Sequence, residues 1–195
     1  MNARYMLTGA VAAAVALFVW QSVSHMALPL HDTTMTMITN DTAYVEAVRA
    51  AAPTNGIYFA PRGVLTIVNF APDLSDQTQA IGTRLGMQFA VNLGVGLLLA
   101  LAMLRLAAGS VLSRAGTLAL LALAGALLTR ASDGVWFGFT TRFVMVNTLD
   151  LVVGWFLAGV VLALLHDRMA VPGMRSDGVK GGELPSRDPL QPARR

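Results

Sequence analysis

Four long apolar stretches restrict what this chain can fold into, and they occupy residues 5–26, 85–106, 111–129 and 143–165. Each is about 20 residues long, and at 1.5 Å per residue a helix of roughly that length crosses a hydrocarbon core of about 30 Å. The first stretch lacks the small-residue pattern of a signal-peptide cleavage site, so we expect it to remain as a span. The sequence therefore predicts four membrane-spanning helices.

The overall composition agrees with a chain that lies mostly in lipid. Hydrophobic residues make up 55% of the 195 residues and charged residues only 13%, whereas soluble domains carry about 25% charged residues. The pI is near 10, but no basic stripe with interleaved aromatic residues is present, which argues against nucleic acid as a partner. The absence of cysteine excludes disulfides and thiolate metal sites. The expected partner is the lipid bilayer.

Basic residues are distributed unevenly over the ends of the predicted spans. With the N-terminus inside, nine Lys and Arg residues lie inside and five outside, and the inside set includes Arg105 and Arg114 at the two ends of one short turn. Cytoplasmic loops carry the excess of such residues in membrane proteins. Because the alanine, leucine and arginine bias is typical of bacterial sequences, we expect a bacterial inner-membrane protein with both termini in the cytoplasm.

The segments between the apolar stretches complete the expected architecture. Residues 1–26 form the first helix, 27–84 an extracytoplasmic cap, 85–166 the other three helices, and 167–195 a disordered tail rich in proline and glycine. Short connections predict that consecutive helices pack as antiparallel neighbours. The expected fold class is an all-α membrane protein, an up-down bundle of four transmembrane helices with a small α+β cap between helices 1 and 2.

The cap segment carries the signals of a short helix and a hairpin. Asn40 or Asp41 can cap a helix that ends before Pro53. Residues 57–60 and 64–70 then alternate as two strands around a Pro-Arg-Gly turn. A two-stranded hairpin is marginal by itself, so we expect it to rest on the bundle or the membrane face.

Polar side chains inside the spans are predicted to lie at one level. Gln88 and Asn92 are four residues apart and Asn147 and Asp150 three apart, so each pair shares one helix face. Asn92 and Asp150 each lie seven residues into their span, about 10 Å below the outer boundary. The first span adds Gln21 and His25 at its outer end. We expect an intramembrane polar cluster in the outer half of the bundle.

Two interpretations of this cluster remain open. An aspartate in hydrocarbon costs about 2.5–3.5 kcal/mol, so Asp150 is expected to face the bundle interior with partners. The amides and Asp150 then either bond across helices and fix their register, at about 0.6–2 kcal/mol each, or form a proton-relay or solute site.

A second group of polar and sulfur side chains follows the first span. His25, His31, Met35 and Met37 offer imidazole and thioether ligands, which are typical of copper(I) sites. Met35 and Met37 would share one side of an extended segment. Pro29 predicts a bend that separates the two histidines. The alternative is a hydrophobic lid in which both histidines bond at the membrane interface. The sequence predicts no other cofactor.

Three stretches carry a resemblance to known proteins: FVWQSVSHMALPLH at 18–31, APTNGIYFAP at 52–61 and DLVVGWFLAG at 150–159. They resemble a group of small bacterial inner-membrane proteins with four predicted transmembrane helices. The resemblance runs from the first span to the fourth and omits the tail. It implies the fold and a membrane location, and it implies no activity, cofactor or functional residue.

No motif in the sequence indicates a reaction. A nucleophile elbow, a phosphate-binding loop, a zinc-protease helix motif and a dinucleotide fingerprint are all missing. We therefore expect a non-enzymatic accessory or assembly subunit, acting in a larger membrane complex or as a homo-oligomer. One alternative is a small proton-coupled or solute transporter around Asp150, although no internal repeat supports alternating access. The other alternative is copper handling at the periplasmic face.

Overall fold

Four helices of this protein are long and apolar enough to cross a membrane. The computed structural model describes residues 3–36, 38–60, 62–68, 77–106 and 109–169. Within them the four candidate spans are Ala3–Ala27, Ile81–Arg105, Val111–Phe137 and Thr141–Met169. The prediction of a multi-pass helical membrane protein is confirmed at this level, while residues 170–195 of the expected tail lie outside the described residues.

The elements follow one another in the predicted order. In chain order they are α1 (Ala3–Ser22) with a π-helical turn (Val23–Ala27), a 3-10 turn (Asp32–Thr34), α2 (Asp41–Ala51), β1 (Gly56–Ala60), β2 (Val64–Val68), α3 (Gln77–Arg105), α4 (Val111–Ala126) with a π-helical turn (Leu127–Ala131), α5 (Ser132–Phe137) and α6 (Thr141–Met169). We call the end of the bundle where α1 ends and α3 begins the cap end, and the opposite end the tail end.

The third span is longer than its apolar stretch predicts. Helical structure continues past Thr129 through the π-helical turn into α5, and two hydroxyl groups bond carbonyls of the preceding turn there. Thr129 Oγ1 donates to the Gly125 carbonyl at 2.8 Å and Ser132 Oγ to the Leu128 carbonyl at 2.6 Å. The helix ends at Gly138, whose φ of 71° is the left-handed conformation that stops helices. The expected turn at 130–142 therefore shrinks to a few residues.

The spans do not all pack beside their neighbours in sequence. Helix α1 packs against α3 and α6, and α4 packs against α6, whereas α3 and α4 make little direct contact. The prediction that consecutive spans are neighbours is therefore wrong for this pair.

Glycine residues allow the helices that do pack together to approach closely. A Cβ on Gly96 of α3 would lie 2.5 Å from the Ala10 carbonyl of α1, and one on Gly159 of α6 would lie 2.9 Å from Ala115 Cα of α4. Such close backbone approach is how helices associate in lipid.

The tail end of the bundle is closely packed. Buried side chains from all four spans fill it and continue along the bundle toward the cap end as far as Leu17: Tyr5, Ala13, Leu17, Leu99, Ala100, Met103, Leu118, Ala158 and Leu162. Arg114 is only 5% exposed, and its Nη2 donates to Asp167 at 2.6 Å. This ion pair joins α4 to α6 and provides the partner that a charge inside a span requires.

The cap contains the predicted helix and hairpin. The Asn40 side chain accepts a hydrogen bond from the Ala43 amide at 3.3 Å and begins α2. Strands β1 and β2 pair antiparallel, from Gly56 opposite Val68 to Ala60 opposite Val64. The remaining part of the expected second strand, residues 69–70, lies outside the described residues.

The glycine contacts generate a prediction about stability. We expect Gly96→Ala to lower the free energy of unfolding by about 1–3 kcal/mol, because the new methyl group would displace the α1 backbone. Gly94→Ala is the matched control, since a Cβ there meets no atom within 4 Å, and alanine favours the helix by up to about 1 kcal/mol. Thermal unfolding of the two variants in detergent measures the difference. Equal stability would show that α1 and α3 are not in contact at this point.

Candidate functional site

Asp150 faces α1 at the cap end of the bundle. Its backbone carbonyl accepts a hydrogen bond from Trp20 Nε1 at 3.0 Å. A Cβ on Gly154, one turn further along α6, would lie 3.1 Å from the Trp20 ring, so the glycine leaves space for the indole. The Asp150 side chain is 16% exposed, and among the described residues its buried Oδ1 has no hydrogen-bond partner. A carboxylate oxygen is thus fixed inside the bundle with its bonding capacity unused.

The chain that leaves α1 folds back over this carboxylate. The π-helical turn is closed by a bond from the Leu28 amide to the Val23 carbonyl at 3.0 Å, and the following 3-10 turn packs against α6. The reversal buries His31 and brings its Nε2 to 4.0 Å from Asp150 Oδ2. The bend that was expected to separate the histidines instead stacks the His31 ring on that of His25, with centroids 3.8 Å apart.

Two histidines and one carboxylate therefore form a compact group of potential metal ligands. One ligand atom from each of His25, His31 and Asp150 lies within 4.8 Å of the others. Sequence reasoning placed His25 both in the polar cluster with Asp150 and in the copper hypothesis with His31, and it did not connect His31 with Asp150. The structure brings the three residues together in a single group.

A hydrogen bond sets the tautomer of His25, and burial favours the neutral form of His31. His25 Nδ1 lies 3.1 Å from the Gln21 carbonyl, and since a carbonyl only accepts, Nδ1 carries the hydrogen and Nε2 has the lone pair in the neutral ring. Burial lowers the pKa of His31 below its usual 6.5, and the His25 ring acts in the same direction, while Asp150 and Asp32 oppose them. His31 is therefore favoured in the neutral form that binds metals.

A chain of amides connects α3 to α1 beside the carboxylate. Gln88 Nε2 donates to Asn92 Oδ1 at 3.1 Å, and Asn92 Nδ2 donates to Gln21 Oε1 at 2.8 Å. Asn92 is 2% exposed, so its polar atoms depend on these two partners. Asn147 instead donates to the Phe143 carbonyl of its own helix at 2.8 Å. Three of the four predicted amide residues are thus bonded to one another, and Asn147 is bonded within its own helix instead.

Two cavities meet at this polar group. One, of about 370 Å³, is lined partly by His25 and reaches the surface beside the exposed Met26. The other, of about 330 Å³, extends deeper and is lined partly by Asn92 and Asn147. Three residues line both cavities: Gln21, Gln88 and Asp150. Below them the closely packed tail end closes the space.

Among the described residues, no methionine of the predicted copper site belongs to the group formed by His25, His31 and Asp150. The side chain of Met35 is mostly in solvent, with 73% of the residue exposed. Met37 lies outside the described residues. The donor atoms that the structure brings together are nitrogen and oxygen, and they suit harder ions than thioethers do.

Comparison with known proteins adds no assignment. No family model matches the chain. No curated protein and no solved structure is significantly similar to it. The functional argument therefore depends on the geometry of the site alone.

The amide chain generates a prediction about stability in the membrane. Asn92→Ala leaves Gln21 and Gln88 without their partner inside the bundle, and we expect it to lower the free energy of unfolding by about 1–2 kcal/mol. Asn147→Ala removes only a bond within one helix and is expected to change this free energy by less than about 0.5 kcal/mol. Chemical unfolding of both variants in the same detergent compares them. Equal losses would contradict the assigned chain.

Proposed function

We propose that this protein is a non-enzymatic membrane protein that captures a small cation from the outer side, in the cavities around Asp150. The observation that carries the proposal is the buried Asp150 Oδ1, which has no hydrogen-bond partner among the described residues and belongs to a carboxylate that lines both cavities. A buried carboxylate oxygen is stable when it is paired, hydrated or bound to a cation. A cavity of this size leaves space for the last two.

A neighbouring amide oxygen supports a positive ligand. Asn147 donates one N–H of its amide to the Phe143 carbonyl, and its oxygen can bind a ligand in the cavity that it lines. Arg130 lines the same cavity, and its contact with Asp133 at 3.4 Å offsets part of its positive charge. The Asn147 oxygen and the Asp150 carboxylate are therefore two groups at this level that can bind a cation.

The shape of the cavities supports capture from one side. They reach the surface at the cap end, and the packed tail end closes them below. The distribution of basic residues favours the cap end as the outer side of a bacterial inner membrane. Since the sequence shows no second related half, capture and delivery to a partner fit this chain better than autonomous alternating access.

Cysteine labelling tests the proposed function. The natural sequence contains no cysteine, so Asn147→Cys and Met145→Cys each introduce a single thiol at nearly the same depth of α6. Asn147 lines the deeper cavity, whereas Met145 is 65% exposed on the outside of the bundle. We expect a membrane-impermeant cationic thiol reagent, added at the cap side, to label Asn147→Cys but not Met145→Cys in proteoliposomes.

Charge selectivity is the second readout of this experiment. The cationic reagent should react with Asn147→Cys at least about tenfold faster than an anionic reagent of similar size, because Asp150 attracts positive charge in a low-dielectric cavity. Adding Asp150→Asn should remove this preference. An unreactive Asn147→Cys, or equal rates for the two reagents, would contradict the proposed function.

An exposed apolar face of the cap hairpin supports a second candidate function, that of an accessory subunit. Ile57, Phe59 and Ile67 lie on one face of the hairpin, since Ile57 pairs with Ile67 and side chains alternate along a strand. All three are more than half exposed, and Phe59 is 71% exposed. An isolated hairpin is marginal by itself, so a partner protein that covers this face would stabilise it.

Native electrophoresis tests this second function. With the protein expressed in its own membranes, we expect the natural chain to migrate in a larger species and Phe59→Asp to migrate alone. Thr66→Asp is the control, because Thr66 lies on the opposite face of the hairpin from Phe59. Migration of the natural chain alone would remove this candidate function.

A further inference from the structure

We infer that the cation captured at this site is a divalent transition-metal ion, bound by His25, His31 and Asp150. The inference rests on the proposed function and names its ligand. It differs from the copper(I) hypothesis in its donor set, because a carboxylate from α6 takes the place of the two thioethers. It is carried by the convergence of these side chains from two distant parts of the sequence.

The distances between the three ligand atoms are somewhat longer than those in an occupied metal site. The three ligand atoms lie within 4.8 Å of one another, whereas zinc bonds of about 2.0–2.2 Å in tetrahedral geometry separate ligand atoms by roughly 3.3 Å. The ligand atoms must therefore approach one another by up to about 1.5 Å when the ion binds. Asp150 is held on α6, whereas His25 is exposed at the end of α1 and His31 lies in the returning loop, so the two histidines make this adjustment. Their stacked rings must separate as they move, because the lone pair of an imidazole nitrogen lies in the plane of its ring.

A neighbouring carbonyl orients His25 as in established metal sites. A histidine ligand commonly donates its second ring N–H to a carbonyl or carboxylate, which fixes the ring and directs the other nitrogen at the metal. His25 has this arrangement through Nδ1 and the Gln21 carbonyl. Ser24 Oγ lies 3.2 Å from His31 Nε2, so a metal ion bound at this nitrogen would take the place of the hydroxyl contact. Trp20 fixes the backbone that carries Asp150.

The donor set selects the class of ion. Two imidazoles favour zinc, nickel, copper(II) and iron(II) over magnesium and calcium, which prefer oxygen ligands alone. The carboxylate makes the site less suitable for copper(I), which prefers thioether and thiolate sulfur. Three protein ligands also leave a fourth position for water or a carried ligand. Because His25 and Asp150 both line the cavity that opens beside Met26, this position would face into that cavity.

Zinc titration of the complete chain tests the inference. The protein is purified in detergent with an affinity tag that contains no histidine, stripped with a chelator, and titrated with Zn²⁺ by calorimetry. We expect one Zn²⁺ per chain. His25→Ala and Asp150→Asn should each weaken binding at least about tenfold, since loss of a residue that merely orients a ligand already costs 10–100-fold. Mg²⁺ should not compete.

Two control variants separate this site from other donors. His166→Gln changes the remaining histidine of the sequence, at the tail end, and should leave Zn²⁺ binding unchanged. Met35→Leu removes a methionine of the thioether hypothesis and should also have no effect. Because His25 is exposed, His25→Ala is expected to fold normally, which circular dichroism and gel filtration confirm before the titration.

The outcomes separate the inference from the proposed function. Absence of Zn²⁺ binding, or binding that His25→Ala and Asp150→Asn leave unchanged, would overturn the metal site, and charge-selective labelling of Asn147→Cys would then preserve the proposed function by itself. Loss of binding in Met35→Leu with tighter binding of copper(I) would also overturn it. Bound Zn²⁺ that slows the cationic reagent at Asn147→Cys would support both. Zn²⁺ binding that needs His25 and Asp150 while Asn147→Cys stays unreactive would support the metal site and contradict the proposed function.

Discussion

The contact between α1 and α6 at Gly154 places Asp150 beside the end of α1, and the candidate site is built around this carboxylate. Trp20 fits against the glycine and donates to the Asp150 backbone carbonyl at 3.0 Å, which holds this part of α6 against the end of α1. The same end of α1 carries His25, and the chain that follows it returns His31 to the carboxylate. In lipid, where apolar side chains gain nothing by leaving the solvent, close packing and a few hydrogen bonds must supply this specificity. A larger residue at 154 would separate the two helices and with them the metal-binding group.

The two ends of the bundle differ in how they satisfy polar groups. At the tail end a buried arginine is paired with Asp167 through Nη2, its Nε has no hydrogen-bond partner among the described residues, and apolar side chains fill the remaining space. At the cap end the amides of Gln88, Asn92 and Gln21 form a chain, but the carboxylate beside them keeps an oxygen without a partner among the described residues. Both cavities lie beside this second group. A buried polar atom without a partner, placed beside a cavity that a ligand can enter, is typical of a binding site, whereas the polar groups of a structural contact bond to one another.

Much of the architecture follows from local sequence properties, and the site depends on features that are not local. The length of the apolar stretches predicts the four spans, and the four-residue spacing of Gln88 and Asn92 predicts that they share a helix face. The alternating pattern of residues 57–60 and 64–70 predicts the hairpin. Periodicity does not show that α4 packs on α6 instead of α3, because this depends on which helices can approach at Gly96 and Gly159. It also does not show that His31 meets Asp150. A proline between two histidines indicates a bend, but only the packing of the returning loop on α6 determines whether the bend separates the rings or stacks them.

Measuring the distance between His31 and Asp150 tests the proposed site most directly, because the contact between these two residues joins the returning loop to the bundle. Solid-state NMR of the protein in lipid, with ¹⁵N-labelled histidine and aspartate carrying ¹³C in its carboxyl group, measures the dipolar coupling between the two residues. With Nε2 and Oδ2 4.0 Å apart, the account predicts strong dephasing of the His31 Nε2 signal and its loss in Asp150→Asn. Dephasing that is absent, or unchanged in this variant, would show that the loop does not dock on α6 and would contradict the site.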